Sequence, residues 1–180
     1  MSPVPHPATV RSHLLAAARA FVRDARGLPG VDRIALIGSI LTNKLEPKVI
    51  DLLVTIADAV DLRVLAGVGR RLKGATQQLN RGADIFVARH DGRYLGRTCS
   101  YRDCHPRRAC GGTLCGQARY LRDDLDVVTL PASLALDPPV ELWPRVRADG
   151  VVPADVAALL DQLRSDSTAR PTAEPTPTRT

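Results

Sequence analysis

Between residues 8 and 26 the apolar side chains Val10, Leu14, Leu15, Ala18, Phe21 and Val22 recur at intervals that place them on one helical face, with Pro7 near the start and Gly27, Pro29 and Gly30 at the stop. This predicts an amphipathic first helix. The stretch "VDRIALIGS" then reads as a buried strand that ends at Gly38, and "KVIDLLVTI" as a second strand, apolar on both sides except for Asp51. Asp61 is placed to cap a helix running to about Leu79, with Leu65, Val68, Leu72, Ala75 and Leu79 repeating at helical spacing. Gly67, Gly69 and Gly74 each cost such a helix about 1 kcal/mol of propensity, so tertiary packing has to hold it. "ADIFVAR", residues 83–89, reads as a third strand with Asp84 near its beginning, and Asp91-Gly92 as a turn into a fourth strand in "RYLGRTC".

The order helix, strand, strand, helix, strand, strand predicts an α/β (α+β) domain, a mixed sheet flanked by helices. Residues 97–123 change character, because cysteine, arginine and glycine accumulate there and apolar periodicity disappears. A strand is expected where "LDVVTL" resumes it near 125–130, and a last helix over about 153–166 in "PADVAALLDQLRSD". Between them "PASLALDPPVELWPRVR" is punctuated by proline, and Trp143 reads as a packing anchor. Residues 1–166 are thus expected to form a single domain, with its core over about 8–130 and a cysteine-rich insertion over about 97–123. Residues 167–180, "STARPTAEPTPTRT", offer nothing to bury and read as a disordered tail.

Composition sharpens this in three respects. Only 3% of the 180 residues are aromatic, so the core must rest on Val, Leu, Ile and Ala, and a base-stacking platform for nucleic acid is disfavoured. The formal charge of +6 is almost all arginine, with Lys44, Lys48 and Lys73 the only lysines, and it suits an anionic partner such as nucleotide or nucleic acid as well as it suits a generally basic surface. No uninterrupted apolar segment of about 20 residues occurs, Arg11 and Arg19 breaking the most apolar amino-terminal stretch, so neither a signal peptide nor a membrane span is expected. The expected compartment is the cytoplasm, where four cysteines are thiols or metal ligands more often than disulfides.

The segment "IALIGSILTNKLEPKVIDLLVTI" holds the candidate chemistry. A glycine at the end of a strand lets backbone amides approach a triphosphate, and the hydroxyl of Ser39 adds a donor. Carboxylates two residues apart on a neighbouring strand point the same way and can share magnesium. On these residues the chain resembles the nucleotidyltransferase superfamily of the polymerase beta type, in particular its minimal bacterial members. The signature there is an apolar strand ending in Gly-Gly or Gly-Ser, a connection of roughly ten residues, and a strand carrying Asp-apolar-Asp or Asp-apolar-Glu. Gly38 and Ser39 match the first part and Asp51 the second carboxylate, while Val49 stands where the first would be. The resemblance covers about residues 31–90.

What the resemblance implies is transfer of a nucleoside monophosphate from a nucleoside triphosphate to a hydroxyl on a protein, a nucleic acid or a small molecule. Gly38 and Ser39 would hold phosphates, Lys44 would assist them, and Asp51 with Asp84, the expected third carboxylate, would carry Mg2+. A strand-edge aspartate in solvent is the plainer reading of Asp84. Val49 removes one of the paired ligands, which keeps open a degenerate member that binds nucleotide or nucleic acid without transfer, or a scaffold within a two-protein system. A second literal match runs from Cys110-Gly111-Gly112 to Asp124-Leu125-Asp126, although no buried strand precedes its glycines. No Walker A sequence is present.

All four cysteines, Cys99, Cys104, Cys110 and Cys115, fall within "CSYRDCHPRRACGGTLC". A structural Zn2+ on these thiolates would order a loop that lacks a core; His105, adjacent to Cys104, is disfavoured where Cys104 is a ligand, since neighbours seldom reach one ion, and becomes the natural fourth if one cysteine is not used. Free or pairwise-oxidised thiols are the alternative, then an iron–sulfur cluster or a catalytic thiol. Arg97, Arg102, Arg107 and Arg108 beside them could meet phosphate or simply solvate the loop.

Overall fold

The computed structural model describes residues 9–100, 115, 118–122 and 125–168. Their secondary structure is mixed: four α-helices, α1 (Val10–Ala25), α2 (Leu62–Gln77), α3 (Ala132–Leu136) and α4 (Ala154–Thr168), and six strands. The strands are β1 (Val31–Ile37), β2 (Val49–Ile56), β3 (Gly82–Arg89), β4 (Tyr94–Arg97), β5 (Val140–Trp143) and β6 (Arg147–Ala148), in one sheet of order β4-β3-β2-β1-β5-β6. Only β2 and β3 run parallel, joined through α2, and the other pairs are antiparallel. The expected mixed sheet with flanking helices is therefore present.

Side chains alternate across the pleat, and the two faces are covered unequally. Ile34 and Leu36 of β1, Ile50, Leu52 and Val54 of β2, and Ile85 and Val87 of β3 face a core completed by Leu14, Ala18 and Phe21 of α1, Leu65 and Leu72 of α2, and Leu159 and Leu160 of α4. The opposite face carries Ala35, Ile37, Leu53 and Ala88, covered by the small α3 through Ala135, with Phe86, Leu130 and Leu134 at its edge. Asp51 and Asp84 alternate onto this thinly covered face. The aliphatic core anticipated from composition is what forms, and Trp143 packs against it half-buried.

The long helices α1 and α2 begin on side-chain caps. Thr9 accepts from the Ser12 amide to cap α1, and Asp61 accepts from Arg63 and Val64 to cap α2. α2 ends at Gln77, two residues before the expected stop, and Ala75 within it is exposed rather than packed. Two expectations are corrected. No strand forms over 125–130: residues 125–127 are a turn and 128–130 irregular, with Val127 exposed, because the run lies at the edge of the second face with no strand beside it. Ser167 and Thr168, expected to lie in the tail, instead complete the last turn of α4 with hydroxyls bonded to the Leu163 and Arg164 carbonyls. Residues 169–180 lie outside the described residues. Among the described residues no helix is long and apolar enough to cross a membrane.

One buried cation organises the helical layer. Arg11, 7% exposed, donates to both carboxylate oxygens of Asp155 at 2.6 and 3.0 Å, and to the carbonyls of Ile40, Thr42 and Lys44 at 2.8–3.0 Å. It joins α1, the β1–β2 connection and the first turn of α4 through one guanidinium. In return, the Arg11 hydrogen bonds hold the Asp155 carboxyl below the usual carboxylate range. Arg11→Met leaves three carbonyls and an acid without their donor, and is expected to destabilise the fold by about 3–5 kcal/mol. Urea unfolding checks this: the midpoint falls with an unchanged slope, and a loss below about 1 kcal/mol would contradict the clamp.

Candidate functional site

β1 ends against β2 with Ile37 opposite Asp51, and Gly38 then turns the chain over that residue. Gly38 has φ +78°, a left-handed conformation that side chains resist, and a Cβ there would overlap the Asp51 carboxylate, lying 3.1 Å from its Cγ and closer still to Oδ2. The glycine is thus required twice, by the turn and by the acid beneath it. A short 3-10 turn follows over Gly38–Leu41, in which Ile40 is buried and the Ser39 carbonyl accepts from the Thr42 amide and hydroxyl. The Ser39 hydroxyl makes no hydrogen bond among the described residues. Lys44 is exposed, and its carbonyl is held by Arg11.

The parallel register of β2 and β3 sets Asp51 directly beside Asp84, and Val49 beside Gly82. Adjacent register partners share a face, so the two carboxylates predicted from sequence are brought together. Val49 lies on that face too, half-buried, in contact range of Gly82: a Cβ on Gly82 would meet Val49 Cγ2 at 3.3 Å. Asp84 receives a hydrogen bond from Arg97 Nη1 at 3.1 Å, whereas Asp51 has no hydrogen bond or ion pair among the described residues. Burial, and next the charge of Asp84, raise Asp51 to a pKa of about 6, with Arg97 opposing them. Lys73, at the end of α2, donates to the Thr98 carbonyl at 3.2 Å; burial pushes it below its ordinary value, Arg122 and Arg97 adding to this and Asp84 and Cys99 opposing it.

Whether these residues suit magnesium can be judged from the donors. Two hard oxygen groups lie side by side on one face, one of them without a partner among the described residues, and the left-handed glycine passes closely over the Asp51 carboxylate. The donor set is of the type that magnesium takes, and Asp51 with Asp84 would be the residues to hold it. It does not extend to a third ligand at position 49, and among the described residues no group of three or more His, Cys, Asp or Glu side chains converges.

The cysteine segment is described only in part. Cys99 is buried beside Ala66 and Tyr120, and accepts from Arg70 Nη2 at 3.2 Å. The backbone at 97–99 is bonded to 120–122, which carries Cys115 on its far side opposite Arg122. Two strand spacings and two residues therefore separate Cys99 from Cys115, roughly 10 Å or more. Cys99 is a free thiol. Cys104, Cys110, His105, Arg102, Arg107 and Arg108 lie outside the described residues. In the second literal match Asp126 is exposed in a turn, and Cys110, Gly111, Gly112 and Asp124 are outside the described residues.

Two participants escaped the sequence reading. Arg97 was legible only as one arginine of a basic loop, though the Asp91-Gly92 turn fixes a hairpin that puts it across from Phe86 and diagonal to Asp84. Glu141, fully buried on β5 against Arg145 and Arg147, sits in a proline-punctuated stretch with no signal to find it.

Comparison with protein-family models, with curated proteins and with solved structures found no match to this chain.

The raised Asp51 gives a signed expectation. Its folded pKa of about 6 lies above the unfolded value, so the native state keeps a proton that the unfolded chain releases first. Stability contributed by the protonated acid is present below about pH 4 and is lost as pH rises through about 6, a change on the order of 2–3 kcal/mol. Asp51→Asn is neutral throughout and is expected to be more stable than wild type at pH 7.5 and equal to it near pH 4. Thermal unfolding across that range checks the difference, and a pH-independent gap would contradict it.

Proposed function

We propose that this protein is a nucleotidyltransferase-like domain that binds a nucleoside triphosphate together with magnesium, the phosphates at Gly38 and Ser39 and the metal at Asp51 and Asp84. The observation that supports this reading is the convergence of a left-handed Gly38 on Asp51, with Asp84 its register neighbour on the same open face. Lys44, exposed on the connection that Arg11 pins, is within the same loop to assist the phosphates. Bound there, magnesium would neutralise the carboxylates and polarise a phosphoryl oxygen. The chain's own part is to fix the loop, to hold two acids together at an electrostatic cost, and to present the Ser39 hydroxyl.

Val49 argues that binding, rather than full transfer, is the activity to which the site is suited. Transfer of a nucleoside monophosphate to an acceptor hydroxyl on a protein, a nucleic acid or a small molecule by two metals calls for a further oxygen ligand on β2, and an apolar side chain stands there. The second reading, a transferase working with one strongly held metal, is favoured by the Asp51 carboxylate, which no group among the described residues pairs with.

Calorimetric titration with each of the four ribonucleoside triphosphates tests the reading. Binding is expected to require magnesium and to weaken at least about tenfold in Asp51→Ala. Binding unchanged in that variant, or absent from the wild type, sinks it.

Zn2+ in the cysteine segment belongs to the same proposal, as the element that would order a basic loop beside the nucleotide and give it a surface for nucleic acid. With Cys99 set apart from Cys115, the ligands we assign are Cys104, Cys110 and Cys115 with His105 available, and Cys99 as a buried thiol. Metal analysis of purified protein is expected to find about one zinc per chain, retained in Cys99→Ser and lost in Cys115→Ser. Less than about half an equivalent in the wild type refutes the zinc, and loss in both variants returns Cys99 to the ligand set.

A further inference from the structure

Arg97 is opposite Phe86 in the β3–β4 register, so its side chain shares the face of Asp84 and Asp51. Its Nη1 donates to Asp84 Oδ2 at 3.1 Å, and its Cζ lies 6.0 Å from the centre of the Phe86 ring. The two side chains are 19% and 25% exposed, so the pair is partly withdrawn from water. Its backbone is held from both sides, by β3 and by the Arg122 amide, which donates to the Arg97 carbonyl at 2.8 Å. Only the side chain is therefore placed to change partner.

We propose that Arg97 is the resident counter-ion of the carboxylate pair and, once a divalent cation has taken Asp84, the residue that binds the phosphate arriving with it. This rests on the nucleotide-binding reading and names a specificity residue within that site. Two neighbouring carboxylates cannot both stay ionised without a cation beside them, and the guanidinium supplies that charge in the resting protein. Magnesium and the guanidinium compete for the same Asp84 oxygen. A guanidinium released from a carboxylate keeps its planar fork, which matches a phosphate equally well. Phe86 lies under the side chain and limits how far it can swing, so the fork remains over the site. The exchange forms and breaks no covalent bond.

The competition gives one residue two opposite effects, which a structural role would not produce. Calorimetry with magnesium chloride alone, with magnesium and inorganic tripolyphosphate, and with magnesium and ATP reads them on the wild type, Arg97→Gln and Arg97→Lys. Arg97→Gln is expected to bind magnesium alone several-fold more tightly than the wild type, and both triphosphates about tenfold more weakly. Arg97→Lys, which keeps the charge but not the fork, is expected to bind magnesium like the wild type and to leave the phosphate loss uncorrected. If the wild type binds magnesium-ATP and Arg97→Gln changes neither affinity, or moves both in one direction, the proposal is overturned while the nucleotide reading stands. If the wild type binds neither triphosphate, both are overturned. Arg97→Lys keeps the question answerable should Arg97→Gln fail to fold.

Discussion

The contact between Gly38 and Asp51 is the constraint around which the site half of this fold is arranged. A chain leaving β1 in the left-handed region crosses directly above its own strand neighbour, and it does so over a carboxylate rather than over an apolar side chain. Ordinary β-turns have no need of such an approach. Here it withdraws Asp51 from solvent, and the charge of Asp84 beside it adds to the penalty on ionising the acid. An arrangement that stores unfavourable charge at a strand end persists only where the surrounding structure over-determines it. That surrounding structure is the strand pair β1–β2, most of whose residues are buried, and Ile40, which carries the turn back into the core.

The asymmetry of the sheet then decides where chemistry can occur. Three long helices crowd one face and leave the other to a single short helix and a few aliphatic side chains. Because the pleat alternates, residue parity alone assigns Ile50, Leu52 and Val54 to the crowded side and Val49, Asp51 and Leu53 to the open one. A shift of one residue in the β1–β2 register would bury both acids beneath α1 and α2, so the hydrophobic pattern that forms the core also fixes the outward placement of the carboxylates.

Much of this was legible in the chain. Apolar runs bounded by Gly38 and by Asp91-Gly92, and a helix with Asp61 at its start, are strong local signals, and an aspartate within an otherwise apolar strand invites the question of what surrounds it. The illegible parts share a physical cause: they depend on partners distant in sequence. Arg11 interrupts an apolar stretch and reads as a mere break in it, yet it becomes the most connected side chain in the helical layer because Asp155 comes to meet it. "LDVVTL" has strand composition but finds no neighbouring strand to pair with, and β-propensity without a partner yields a turn. β5 and β6 were hidden behind prolines, although Val140 and Leu142 are among the best-buried residues in the sheet.

The Arg11 clamp also orders events in time. Its acceptors lie 29 to 33 residues along the chain at Ile40, Thr42 and Lys44, and 144 residues along at Asp155. During synthesis the strands β1 to β3 can pair, and Gly38 can fold over Asp51, while the guanidinium still lacks its acid and competes with water for the loop carbonyls. The connection that carries Ser39 and Lys44 acquires its final tie only when α4 docks. Contacts of such long sequence separation are slow to form, because chain entropy must be spent before they return anything. The candidate site is thus completed from the carboxyl-terminal end of the described chain, and a ribosome-bound fragment lacking α4 would hold its strands before it holds its loop.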